Sequence, residues 1–597
     1  MKFIFTDKFM AICIALMALC ISSCKEKMPP VTNIQIVYTT DVHGKMLATD
    51  FLHHEKEAIS LANMMTYVEQ TRQKQEKELI LLDNGDILQG DPSMYYYNVQ
   101  AIRDQHLAVR VANFIGYDAI NMGNHDFESG EGIYYDHFSK QTDAAVLGAN
   151  CIDTRTQQPI FKPYTIIERG GYRIAVLGIT HSGTPQWIPK SMYPHIEFVS
   201  MTQTAREWIP RILLTEKPDL MVVMFHAGNE YSEFVDSRSN MKYTESIEQI
   251  IGQTHGVDLV LIGHDHKWGI RNIIDADGDS IPVVQPKSHA EQFATIDITL
   301  TRDENMQRSA RIEQIKLNDC WRLPPSEAYV EEFSDATNDI NDYLDTPLGA
   351  LADTLDGKGT LVGQTNLMDF IHEVQLSRTG ADISMASALS SFADIPAGDI
   401  SMRQLFDLYR FENQIDKIWM TGDDVKKFLE YGYGKQFAVM KSNKDHLLNY
   451  ITDENGEILI GAFGPELVTP QYNFTSAAGI NYVVDVTKPV GERVTIESMA
   501  DGTPFSPDRR YIVAISSFQA AGGGGFITKG LGWDEQDIRY HSVTESTKDM
   551  RYFIAQHIRK HGVVRSKQNG RWKVIPTDWW RCNKDRDVEI LLPYLKH

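Results

Sequence analysis

Between residues 34 and 300 short apolar runs recur along the chain: IQIVYTT, LILLDNG, YDAINMG, RIAVLGIT, DLMVVMFHAG and VDLVLIGHDH. Each is rich in Val, Ile or Leu and stops at Gly, Asn, Asp, His or Thr. Such runs are nearly continuous rather than alternating, which is the pattern of strands covered on both faces. Between them, AISLANMMTYVEQTRQKQEKE places apolar residues at helical spacing and leaves one face polar. The alternation predicts an α/β domain over residues 34–324, with helices on both sides of a mixed sheet. QFATIDITLTRD reads as its closing strand. The stretch PPSEAYVEEFSDATNDINDYLDTPLG is acidic, opens on prolines and has helical spacing. It predicts a connector helix over 325–350. A second compact unit over 351–597 mixes helices (NLMDFIHEVQLSRTG, DDVKKFLEYG) with strands (NYVVDVT, YIVAISS).

At 597 residues the chain is too long for one core. Its formal charge of -22 argues against a nucleic-acid polymer as partner, because phosphate backbones need Lys/Arg patches. A small phosphate substrate stays open, since bound divalent cations invert the local field. Near the N-terminus Lys2 and Lys8 precede FMAICIALMALCI, an apolar run of 13 residues. A membrane span needs ~20, so the run fits a signal-peptide core. It ends in Ile21-Ser22-Ser23-Cys24, which resembles a bacterial lipobox. The expectation is a leader over 1–24, a tether over 25–33, and a membrane anchor through lipidated Cys24 in the bacterial cell envelope. Cys151, Cys320 and Cys582 are far apart with no CxxC, so no disulfide framework is expected.

The strand-like runs end in ligand-type residues: Asp41 and His43, Asp86, Asn124, His226, then His264 and His266. In an open α/β sheet the carboxyl ends of strands line one crevice, so seven such side chains would converge. The order DxH, GD, GNH, H, GHxH resembles the calcineurin-like metallophosphoesterase superfamily. That resemblance implies a cofactor of two divalent metal ions such as Zn, Mn or Fe. Asp41, His43, Asp86 and His266 would hold one; Asp86, Asn124, His226 and His264 would hold the other, with Asp86 bridging. A bridging carboxylate keeps two ions ~3.5–4 Å apart, close enough to activate one nucleophile and clamp phosphate oxygens. Asp83, Asp126 and Asp265 read equally as supports of the ligands or as turn residues. His53, His54, His181, His255 and His289 carry no motif. His125 follows Asn124 directly, and the resemblance implies that it stabilises the transition state or protonates the leaving oxygen. The residue three beyond it pairs with this His in related families, as Asp or Asn; here it is Glu128. A carboxylate there would raise the His125 pKa, while the extra methylene changes its reach.

In the second unit SRTGADISMAS, the stretch GDISMRQLFDLYRFENQIDKIWMTGDDVKKFLEY, YNFTSAAGINYVVDVTKPVGERV and SSFQAAGGGGF resemble the C-terminal domain of the 5'-nucleotidase and 2',3'-cyclic-nucleotide 2'-phosphodiesterase/3'-nucleotidase family. The implied architecture is a metallophosphoesterase βαβ sandwich followed by a 5'-nucleotidase-type α/β domain. The implied substrate contacts are Tyr472 and Phe518 on the base, with Phe474 as rival to Tyr472, and Asn413 and Arg410 on polar groups. Aromatic stacking contributes ~1–3 kcal/mol per base. The 5'-nucleotidases carry a GGGIR-like segment after ADxxxM; ADISMASALSSFADI has no such arginine. The expected activity is therefore that of an exported phosphohydrolase on 2',3'-cyclic nucleotides and 3'-nucleotides, acting as a monomer in nucleotide salvage. A 5'-nucleotidase or nucleotide-sugar hydrolase on the same site is the alternative, and a lipid-anchored binding protein without catalysis is a third.

Overall fold

The computed structural model describes residues 31–594 apart from 53–58, 103–104, 230–231, 236–241, 303–307, 392, 462–463 and 545–547. The expected leader, Cys24, most of the tether, and His53 and His54 lie outside the described residues. No helix among the described residues is long and apolar enough to cross a membrane.

The first domain is a sandwich of two six-stranded sheets. One sheet holds β1 (Val31–Thr39), β2 (Glu78–Asp83), β3 (Ala119–Asn121) and β4 (Ala145–Leu147), all mutually parallel. The other holds β5 (Tyr164–Arg169), β6 (Tyr172–Thr180), β7 (Leu220–His226), β8 (Leu259–Ile262), β9 (Gly269–Ile274) and β10 (Ser280–Gln285) in the order β9-β10-β8-β7-β6-β5. Chain and sheet are completed by β11 (Gln292–Arg302) and β12 (Arg308–Asp319), which extend the first sheet antiparallel beyond β1. β1 begins at Val31, inside the stretch 25–33 expected as a tether.

Continuous apolar runs make sense in this sandwich. Ile34, Ile36 and Tyr38 of β1 face Ile174, Val176, Val222 and Met224 between the sheets. Val37, from the opposite side of β1, joins Leu61, Met64 and Val68 of α1 (Leu61–Lys74) beneath the outer helices. Both faces are dry, so neither tolerates a polar position. β12 escaped the sequence reading for the converse reason: its run RIEQIKL alternates, and only one face is covered.

The expected connector is not a single helix. It is split into α2 (Glu327–Glu332) and α3 (Ser334–Leu344) at Phe333. Phe333 is buried against Tyr329 at 4.7 Å and the half-buried Phe114 at 5.5 Å between ring centroids, and the chain bends to bury Tyr329 and Phe333. Residues Pro347–Leu351, which run from the end of the expected connector into the expected second unit, form a strand paired with Gly398–Ser401. The second domain is built on a five-stranded sheet that includes β13 (Ile383–Ser387), β14 (Ile415–Thr421), β15 (Thr475–Ala478) and β16 (Arg510–Ser516). The expected helices are present as Asn366–Thr379 and Gly422–Gln436. Cys151, Cys320 and Cys582 are free thiols.

Candidate metal centre and active site

Every expected ligand stands at or just beyond the carboxyl end of a parallel strand: Asp41 and His43 after β1, Asp86 after β2, Asn124 after β3, His226 closing β7, His264 and His266 after β8. A chain of buried amides ties the two sheets together beneath them. Asn121 Nδ2 donates to Asn84 Oδ1 at 2.9 Å and to the Ile179 carbonyl at 3.1 Å, and Asn84 Nδ2 donates to the Phe225 carbonyl at 2.8 Å. The Tyr38 hydroxyl adds a 2.6 Å bond to the Ile262 carbonyl.

The backbone of this face is strained. Asp41, His43, Asp86, His264 and His266 have φ between 47° and 78°. That region costs a non-glycine residue ~1–3 kcal/mol, and such residues concentrate at functional sites. Gly123 is equally constrained: a Cβ there would meet Asp86 Oδ1 at 2.2 Å. The glycine of GNH is what leaves room for the central carboxylate.

Six of the seven side chains gather into two groups, Asp41–His43–His266 and Asp86–His226–His264, each with its ligand atoms within 4.8 Å of one another. Asn124 Oδ1 bridges within the second, 3.1 Å from His226 Nε2 and 2.7 Å from His264 Nδ1. Asp86 Oδ2 lies 3.0 Å from His226 Nε2 and 4.0 Å from His43 Nε2, facing both groups.

The donor atoms fit divalent metal. His226 Nδ1 donates to the Asn84 carbonyl at 2.6 Å, and His43 Nδ1 donates to Gln89 Oε1 at 3.1 Å. Each ring therefore turns an Nε2 lone pair into the site. The His226 lone pair meets the Asp86 and Asn124 oxygens, and that of His43 meets His266 Nε2 at 3.1 Å. Lone pairs so opposed call for a cation between them. Asp86 Oδ2 is buried without a hydrogen-bond partner. On side chains alone, burial pulls the His226 pKa down, but Asp86 and Asp41 outweigh it and push it up to about 10. Burial instead holds His43 and His264 well below the usual imidazole range, and neutral imidazole is the ligand form.

His125 lies beside this centre. Its backbone N–H donates to Asp86 Oδ1 at 2.7 Å, while its ring stands edge-on to His43 with centroids 5.5 Å apart. Nδ1 donates to Glu128 Oε1 at 3.0 Å, so the extra methylene of Glu128 still reaches. That bond leaves Nε2 as the ring nitrogen not engaged by Glu128. Burial lowers the His125 pKa, but Glu128 and Asp86 overcome this and push it up to about 9.

Asp126 accepts from the N–H groups of Asp86, Ile87, Leu88 and Gly123, so it folds the ligand loop rather than facing the ions. Asp265 accepts from Asn229, Lys267 and Gln285 and holds the His264–His266 turn. Asp83 takes the Thr39 hydroxyl and the Gly85 N–H. Three residues without a motif support ligand rings. His289 stacks on His43 at 5.1 Å. His181 and Trp187 flank His264 at 4.8 and 4.9 Å. A signal for His289 existed: like the ligands it directly follows a buried parallel strand, β10. His255 pairs with Asp277 on the surface.

On the second domain Tyr472 is 46% exposed and Phe411 is 37% exposed, their rings 6.5 Å apart and edge-on. Phe411 was missed in the sequence, where RFEN drew attention only to its Arg and Asn. Phe474, at 3%, is core. Phe518 is half-buried and packs on Gly523, where a Cβ would meet its ring at 2.5 Å. The Asn413 carbonyl accepts from Met550 N–H at 2.9 Å. Arg410 is exposed, and its charge contributes, after burial, His266 and Lys45, to lowering His289 to about 4.

A calcineurin-like phosphoesterase family model matches residues 34–268. A 5'-nucleotidase C-terminal domain model matches residues 347–529. The chain belongs to the two-domain metallophosphoesterases of the nucleotidase family. Like them it is a metal-dependent phosphoester hydrolase. The chain is 24% identical to a 2',3'-cyclic-nucleotide 2'-phosphodiesterase/3'-nucleotidase of Yersinia enterocolitica, covering 91% of this chain and 88% of that one. It is also 24% identical to protein UshA of Yersinia enterocolitica, over 83% of this chain and 86% of that one. The crystal structure of a putative 5'-nucleotidase from Staphylococcus aureus shares the fold, with TM-score 0.69, 20% identity, and coverage of 91% and 100%. Within this family a dinuclear metal centre is the rule, and the two side-chain groups above accommodate it.

Proposed function

We propose that this enzyme hydrolyses 2',3'-cyclic nucleotides and 3'-nucleotides between its two domains. The observation that carries the reading is the convergence of two metal-ligand groups on Asp86, with the His125–Glu128 pair beside them. The cyclic and 3' preference is supported by the absence of the arginine segment after ADISM and by the Yersinia relative of that name. When bound, two divalent ions supply Lewis-acid charge for the phosphoryl oxygens and lower the pKa of water.

The chain's own residues do the rest. Asp41, His43, Asp86 and His266 would hold one ion, and Asp86, Asn124, His226 and His264 the other. Phe411, Tyr472 and Phe518 would hold the base, and Arg410 and Asn413 polar groups of the nucleotide. As water oxygen bonds to phosphorus, the bond from phosphorus to a ribose oxygen breaks. His125 Nε2 delivers the proton that oxygen needs, and Glu128 holds the ring and its charge. The leader-like segment ending in Cys24 supports an exported protein, lipid-anchored in the bacterial cell envelope, with salvage of nucleosides as its task. The unit boundaries near 324 and 347 separate metal binding from base binding.

The test is turnover of 2',3'-cyclic AMP, 3'-AMP and 5'-AMP, with EDTA and metal add-back. Hydrolysis of the first two, abolished by EDTA and restored by metal, is the expected result. Fast 5'-AMP turnover with no cyclic activity would replace this reading with that of a 5'-nucleotidase.

A further inference from the structure

The helix that follows the Asp86 loop, Pro92–Val99, carries Tyr95 into the interface between the domains, where it is 1% exposed. Its hydroxyl donates to Asp549 Oδ1 at 3.1 Å. Asp549 also caps the second-domain helix Met550–His561, accepting from Tyr552 N–H at 3.0 Å. Two residues on, Arg551 has no exposed surface. Its Nε donates to Asp549 Oδ2 at 3.2 Å, and Nη2 lies 3.2 Å from Glu412 Oε1. Its guanidinium carbon sits 4.5 Å from the Tyr95 ring centre and 4.3 Å from that of Phe406, on the helix Met402–Leu408.

One buried cation thus touches a first-domain helix, a second-domain helix and the segment Arg410–Asn413. The backbone repeats the connection: Met550 N–H donates to the Asn413 carbonyl at 2.9 Å, and Gln414 pairs with Asp549. Gln414 N–H in turn donates to Ser517 Oγ at 3.1 Å, next to Phe518. The Glu412 carboxyl feels Glu128 across the interface: burial raises its pKa, Arg551 opposes, and Asp549 and Glu128 add to the rise, to about 7.

We propose that Arg551 is a positioning residue for the hydrolysis, holding the segment Arg410–Asn413 at one setting against the metal face. A buried guanidinium is costly unless its counter-charges are in place. Glu412, Asp549 and Phe406 hold it from within the second domain, and Tyr95 meets both Arg551 and Asp549 from the first, so these contacts of Tyr95 select the register of the two domains. The flat cation between two rings has no equivalent in lysine. Arg551 acts on where the base and ribose are held and leaves the phosphoryl chemistry alone.

The inference rests on the reading that a nucleotide spans both domains. Its test compares a nucleotide with bis(4-nitrophenyl) phosphate, which lacks a base and ribose. Arg551→Met in the full chain should raise the KM of the preferred nucleotide about tenfold or more. Metal content and bis(4-nitrophenyl) phosphate turnover should stay within about twofold. Arg551→Lys should fall between the two. Should Arg551→Met not fold, Tyr95→Phe removes only the hydroxyl donated to Asp549 and should raise KM about threefold. An unchanged nucleotide KM, or a parallel loss on both substrates, overturns the inference alone. A wild-type enzyme that cleaves the base-free diester but no nucleotide overturns the functional reading and this inference with it.

Discussion

On the first domain Asp41, His43, Asp86, Asn124 and His226 are each at most 6% exposed, and their oxygens and nitrogens point at one another. On the second domain Phe411 and Tyr472 leave 37% and 46% of their surface open. The first face is finished before substrate arrives. Strained backbone, buried amides and the Asp126 turn hold it, and its electrostatics ask for cations. The second face leaves its rings open to solvent, and under the proposed function a base would cover them. The contrast teaches that chemistry and selectivity are built with different tolerances: displacement by a fraction of an ångström ruins a metal bridge, while stacking accepts several geometries.

Four changes would break or sharpen that contrast. Asp86→Asn carries the largest effect. It weakens the carboxylate facing both groups, so metal content should fall at both positions and activity by roughly three orders of magnitude or more; elemental analysis beside kinetics checks this. His125→Ala should lose ~10²–10⁴ in kcat yet keep its metal, because the N–H that holds Asp86 belongs to the backbone. Metal loss in that variant would erase the separation between holding ions and moving protons. Tyr472→Ala or Phe411→Ala should raise nucleotide KM by about 5- to 100-fold, with kcat on a base-free ester unchanged. An equal loss on both substrates would show that these rings do not act by holding the base.

The smallest effect concerns pH. The Glu412 carboxyl is raised to about 7 in the folded protein, against roughly 4.3 in an unfolded chain. The folded state therefore binds the extra proton between those values, and this group's contribution to stability falls as pH rises through the window. Melting temperatures of Glu412→Gln should lack that component. A difference curve between wild type and variant that is flat from pH 4.5 to 7.5 would show that Glu412 is ionised throughout.

Much of the metal face could be read from the chain because the seven ligands stand at the ends of five buried strands, and strand and ligand lie within one short window. Glu128 was legible as a neighbour of His125, but whether it reached was not; the turn His125–Ser129 decides that by closing the gap to 3.0 Å. His289 and His181 carried no motif, since what distinguishes them is the ring they stack on. Phe411 was overlooked because an aromatic in RFEN is compatible with a core position, and only its exposure separates it from Phe474.

The sequence by itself determined the layered α/β class, the strand ends that carry metal-ligand chemistry, and the change of character near residue 324. These follow from local periodicity and residue type, which short windows contain. Only the tertiary structure decided the break at Phe333, the pairing of lone pairs around Asp86, and the meeting of Tyr95, Glu412 and Arg551. Those partners are separated by up to 456 positions (Tyr95 to Arg551). The Tyr95–Arg551 contact depends on how two domains dock, a property that no single stretch of chain encodes.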